Sequence, residues 1–168
     1  MITNSDGTLT VGGRIAIHEP VVILNPEKIG IDRGTRIDSF AKLEGGDGML
    51  IGQFVHIASF AHIGIGGGTT IIGDFCNVSS GGRVISAVPC DEAKSHSAAA
   101  PEGMHPVEKR TTTMEPYSSV LSNATVLAGV TLHEGAVLAA GGVATHDIPA
   151  WEIWAGVPAK FLRKRTKP

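Results

Sequence analysis

The chain has 168 residues, a net charge of −2, 42% hydrophobic and 18% charged residues. That length fits one domain, and the charge excludes a general attraction to nucleic acid or to an anionic membrane. Two cysteines, Cys76 and Cys90, are too few for a disulfide framework, and no apolar N-terminal run reads as a signal peptide or membrane span, so a soluble cytoplasmic protein is expected.

From the N-terminus, Val11, Ile17 and Ile23 stand six residues apart. The phase then shifts, with Asn25-Pro26 marking a corner or bulge. Ile31-Asp32-Arg33-Gly34-Thr35-Arg36 and Ile37-Asp38-Ser39-Phe40-Ala41-Lys42 establish a rhythm of six, aliphatic at the first position and small at the fifth. It returns at Ile51, Ile57 and Ile63, is interrupted over 64–70, and continues at Ile72, Val78 and Val84. A period of six is neither the 3.6 of a helix nor the 2 of an ordinary strand; it belongs to a solenoid. Three hexads, about 18 residues, make one triangular coil, so residues that far apart stack at roughly the 4.8 Å strand spacing. The 22 glycines and 5% aromatics suit tight corners around a thin aliphatic core.

The rhythm disappears from Pro89 to about Pro116, which predicts a protruding loop over 89–116, and segments of that length inside one domain tend to be functional. It resumes at Val120, Val126, Leu132 and Leu138. Pro158 is placed to start a helix, so 158–165 is read as a short C-terminal helix over the last coil, with Trp151 and Trp154 packing it. The fold expected is all-β, a parallel β-helix of hexapeptide repeats, forming a single domain over 1–168.

Seven histidines are available for proton transfer, the side chain best suited to it near pH 7: His18, His56, His62, His96, His105, His133 and His146. His56 and His62 hold the outward-facing sixth hexad position on adjacent faces. A zinc hydratase of the carbonic anhydrase kind is an alternative, but it needs three imidazoles converging on the metal. No third histidine has the spacing to join these two, so no metal is expected.

Ile72-Gly73-Asp74-Phe75, the Ala128-Gly129-Val130-Thr131 corner, and Ala155-Gly156-Val157-Pro158-Ala159-Lys160 ahead of a basic end resemble the left-handed β-helix acetyltransferases. More narrowly they resemble the small bacterial sugar acetyltransferases of the galactoside and O-antigen types, over about 11–165. The resemblance implies left-handed coils and a homotrimer with an active site in each cleft between neighbours. It also implies direct attack, in a ternary complex, of a hydroxyl or amino group of a sugar or nucleotide sugar on the co-substrate acetyl-CoA.

By that resemblance Ser59 stands at a substrate-contacting position and His56 serves as base or positions the substrate. The Ser122 backbone N–H faces the developing oxyanion, the pantetheine arm passes Ala140 and Thr145, and Lys160 and Arg163 meet the coenzyme's phosphates, with Lys164 and Arg165 adding field. His62, Asp91 and His96 are further acceptor contacts. The chain departs from the galactoside pattern where a catalytic histidine is followed by proline: Pro89-Cys90-Asp91 stands there. His96 or His105 in the loop is then an alternative base, substrate-assisted transfer needs none, and a non-catalytic scaffold is the remaining reading.

Overall fold

Ile37, Ile57, Val78, Val120 and Leu138 form a single fully buried column, each in parallel register with the next. The computed structural model describes residues 10–167; residues 1–9 and 168, the ends of the expected domain, lie outside them. A hexad makes a strand of two or so residues, one out and one in, as His56 (half-exposed) and Ile57 (buried) show, because successive side chains on a strand point to opposite sides. A corner follows and the chain enters the next face.

Three parallel sheets result. The first face includes Ile29–Asp32, Gly48–Ile51, Thr69–Ile72, Thr111–Met114 and Thr131–Leu132. The second runs through Arg36–Ile37, His56–Ile57, Asn77–Val78, Ser119–Val120 and Val137–Leu138 to Glu152–Ala155. The third runs through Lys42–Glu44, His62–Ile65, Arg83–Ile85, Thr125–Val126 and Val143–Ala144. The core they enclose is aliphatic, filled by residues such as Leu43, Ile63, Val84, Val126 and Leu132.

The coils are longer than expected in the N-terminal half. Ile37 pairs with Ile57 and Ile57 with Val78, 20 and 21 residues on, whereas Val120 pairs with Leu138 at the expected 18. The surplus is taken up between the third and first faces, in turns where Gly46, Gly66 and Gly67 adopt positive φ, and at Gly64, a positive-φ bulge within His62–Ile65.

The protruding loop is shorter than 89–116. It leaves from that same corner, where Ala87–Pro89 pairs antiparallel with Val107–Lys109, and Thr111–Met114 is already back in the first face. Threonines hide the returning hexad. Thr112 is fully buried, and its hydroxyl donates to the Ile85 carbonyl at 2.6 Å while accepting from the Gly129 N–H at 2.9 Å. A buried hydroxyl so satisfied carries no large penalty.

The C-terminal helix expected over 158–165 is absent. Lys160–Lys164 is a strand, antiparallel to Glu152–Ala155, and Pro158 sits in the connecting turn after Gly156 (φ 93°). The strand satisfies the outer backbone groups of the last coil, which a helix laid across them would leave unpaired. Trp151 therefore packs no helix. It stands at a corner with φ 59°, while Trp154 packs on the core and donates its indole N–H to Glu152.

The fourth hexad position is the left-handed corner residue, and aromatic rings stack there from coil to coil. Phe54, Phe75 and Tyr117 lie face to face with centroids 5.3 and 5.1 Å apart, and Trp151 follows at 6.4 Å. Phe40 and Phe60 stack at 5.3 Å at the corner between the second and third faces.

Candidate active site

Coil stacking turns residues about 20 positions apart into neighbours. On the second face the outward row is Arg36, His56, Asn77 and Ser119. His56 uses both ring nitrogens: Nε2 is 2.9 Å from Asp38 Oδ2 and Nδ1 is 3.1 Å from Asn77 Oδ1. Asn77 Nδ2 donates to Ser79 Oγ at 2.8 Å, and Arg36 Nε donates to Asp38 Oδ1 at 2.6 Å. The Arg36 hydrogen bond, with His56 adding to it, outweighs desolvation and holds the Asp38 carboxyl below its ordinary value. His56 as held has no open nitrogen with which to take a substrate proton.

On the third face the row is Lys42, His62 and Arg83. Glu44 accepts from Lys42 Nζ and lies against His62 Nε2, both at 2.7 Å. Partial burial pushes the Glu44 carboxyl up, but those two hydrogen bonds prevail and lower it. His62 Nδ1 has no hydrogen-bond partner among the described residues, so this ring is oriented at one nitrogen and open at the other.

Between the two faces runs a column of small residues. The Gly81 N–H donates to the Ser59 carbonyl, Asn123 to Ser80, and Gly141 to Ser122, which stacks Ser59, Ser80, Ser122 and Ala140 in order. Ser122 is exposed in a turn closed by Ala124 N–H to the Leu121 carbonyl, with Asn123 at φ 57°. The Ser122 N–H is unpaired among the described residues. The structure thus gathers His56, Ser59, His62, Ser122 and Ala140 around one edge.

The other expected site residues lie elsewhere. Asp91 lines a cavity of about 320 Å³ with Pro89, Cys90, Glu92 and Arg110, and Thr145 lines one of about 520 Å³ with Arg110, Gly129, His146 and Asp147. Both open at the corner from which the loop departs. His96 is exposed on the loop, and His105 Nδ1 is 3.1 Å from the Ser95 carbonyl. Lys160 and Arg163 are exposed on the C-terminal strand. Arg165 donates to the Tyr117 and Gly135 carbonyls and lies over Trp151, a structural use of that cation. Burial pushes the Cys76 thiol up, which removes it as a nucleophile.

Asp38, Glu44, Asn77, Ser79 and Ser80 were not singled out from the sequence. The signal that finds them is polar residues spaced by a coil: Asp38 and Glu44 stand 18 positions before His56 and His62, Asn77 and Ser80 stand 21 after His56 and Ser59, and Ser79 is two beyond Asn77. Among the described residues no group of three or more His, Cys, Asp or Glu could hold a metal ion, and no helix is long and apolar enough to cross a membrane.

The three-sided parallel solenoid of six-residue turns is the left-handed hexapeptide-repeat β-helix. No family model matches the chain. It is 29% identical over 175 residues to the dTDP-4-amino-4,6-dideoxy-D-glucose acyltransferase of Escherichia coli, covering 96% of this chain and 84% of the relative. AntD, an N-acyltransferase from Bacillus cereus, superposes in its complex with dTDP and 3-hydroxybutyryl-CoA with a TM-score of 0.87 at 25% identity, over 95% of this chain and 85% of that one. A variant of AntD with dTDP-4-amino-4,6-dideoxyglucose and coenzyme A gives 0.86 at 25%, over 96% and 86%. In fold and in sequence the chain is similar to these acyltransferases.

Proposed function

We propose that the chain transfers an acyl group from acyl-CoA to the amino group of a nucleotide-linked sugar, by direct attack in a ternary complex. The observation that carries this reading is the near full-length similarity to a dTDP-amino-sugar acyltransferase, joined to an edge lined by serines and flanked by polar chains on both faces. The amine lone pair attacks the thioester carbon, the C–N bond forms, the C–S bond breaks, and one amine proton ends on the departing sulfur.

In this reading the unpaired Ser122 N–H stabilises the oxyanion. Ser59 and His62 contact the acceptor, and His62 Nδ1 is the ring nitrogen free to carry the proton. Asp91 and His96 reach the acceptor from the loop. Small Ala140 leaves room for the pantetheine arm, which runs on past Thr145, and Lys160 and Arg163 meet the coenzyme's phosphates. Three copies side by side complete each site, the flat faces of the column supplying the contact.

The test is release of free coenzyme A when the purified chain is given acetyl-CoA or 3-hydroxybutyryl-CoA with dTDP-4-amino-4,6-dideoxyglucose and a panel of other amino-sugar nucleotides. Acceptor-dependent thiol release is expected. Its absence across the whole panel with both donors overturns the reading.

A further inference from the structure

Four side chains on three consecutive coils of the second face form an unbroken chain: Asp38, His56, Asn77 and Ser79. We propose that His56 is a positioning residue which, through Asn77, decides whether the Ser79 hydroxyl presents a hydrogen or a lone pair to the bound acceptor. The proposal rests on the acyl-transfer reading and adds to it the group that meets the acceptor amine on this face.

Asp38, ionised at neutral pH and fixed by Arg36, can only accept, so His56 Nε2 carries a hydrogen in every arrangement. Nδ1 is the variable. When Nδ1 also carries one, it donates to Asn77 Oδ1, Asn77 Nδ2 donates to Ser79 Oγ, and the serine's own hydrogen finds no acceptor among the described residues and is left for the acceptor side. When Nδ1 is bare it must accept. The Asn77 amide then turns over, Nδ2 donating to the ring and Oδ1 accepting from Ser79, whose outward side keeps only lone pairs. Turning an amide over exchanges oxygen and nitrogen without moving any other atom.

Among the described residues the charged and titratable groups facing the ring come from one side: Arg36 and Asp38 on the preceding coil, with His18 one coil further back in the row of Asp38. The following coil offers only the uncharged Asn77 and Ser79. The ring is itself 41% exposed, while Ser79 is half-buried beside Ser80 of the corner column.

The chemical consequence follows from what an amine nucleophile needs. A Ser79 hydrogen aimed at the acceptor nitrogen would occupy the lone pair that must attack, whereas a Ser79 lone pair accepts an N–H and leaves that pair free. The bare-Nδ1 arrangement is therefore the productive one, and His56 acts without touching the substrate.

The test uses the full-length protein labelled with ¹³C and ¹⁵N, titrated without ligands, following the His56 ring and the Ser79 Cβ. The Ser79 signal is expected to move with the midpoint of the His56 ring, and in Asn77→Ala to stop doing so while the ring still titrates. A Ser79 signal that ignores the ring in the unsubstituted protein, or follows it undiminished in Asn77→Ala, overturns the proposal. Neither measurement needs turnover, so failure of the acyl-transfer reading shows separately, as absent coenzyme A release. In the active enzyme Ser79→Ala is expected to raise the acceptor KM about tenfold, the scale of one hydrogen bond, and to remove the rise of that KM at low pH. An unaltered KM with its pH profile intact also sinks the proposal.

Discussion

The indole of Trp151 occupies the space that a side chain at Gly135 would fill. A Cβ placed on Gly135 would lie 2.5 to 2.8 Å from three atoms of the ring, and Gly135 itself has φ 68°. Gly135→Ala meets both a steric and a conformational obstacle, and is expected to cost about 1–3 kcal/mol. A thermal melt of the variant checks this; a Tm within one degree of the parent would show that the corner ladder is loose.

Ser122 offers a test of backbone against side chain. Its turn has a positive φ at Asn123 and the hydrogen bond of a type II turn, in which proline fits at the position of Ser122. Ser122→Ala, which removes the hydroxyl alone, should keep kcat within about threefold, while Ser122→Pro, which removes the N–H as well, should lower kcat by about 10²–10³ with the fold intact. Steady-state kinetics and a melt on both variants decide it.

The Asp38 carboxyl lies below its ordinary value of 3.8 chiefly through Arg36. Its ionised form is favoured by folding, so the contribution to stability is present above pH 3.8 and is lost as pH falls through the lower folded value. Asp38→Asn should therefore be less stable than the parent at pH 7, by about 1 kcal/mol or less for a partly exposed pair, and the difference should close in strong acid. Urea midpoints at several pH values measure it, and a constant difference across that range would contradict it.

If Lys160 and Arg163 grip phosphates, replacing both by Gln should raise the KM for acyl-CoA about three- to tenfold and leave kcat nearly unchanged. The effect should shrink as salt rises, because exposed charges are screened. The acceptor KM is the internal control.

The fold was readable because Ile31 and Ile37, then Ile51, Ile57 and Ile63, then Ile72, Val78 and Val84 are all aliphatic and spaced by six within each group, and all prove buried. Reading failed where chemistry imitated another state. Thr112 sits in a core place but reads as polar, so the loop seemed to run to 116, and Pro158 reads as a helix start while serving in a turn. Of the candidate site, the sequence displays the outward histidines and corner serines. Asp38, His56, Asn77 and Ser79 meet because the coils have 20 and 21 residues, a length fixed by glycine turns whose extra residues carry no hexad signature.

The antiparallel strand Lys160–Lys164 has a consequence for solubility. A parallel solenoid ends in a row of bare amides and carbonyls that would template another molecule's coil, and stacked copies would grow as a fibre. Here the chain folds back over the second face of its own last coil with a strand that runs the wrong way to continue the winding and carries Lys160, Arg163 and Lys164 on its exposed residues. Removing 157–168 should turn a discrete particle into one that polymerises end to end.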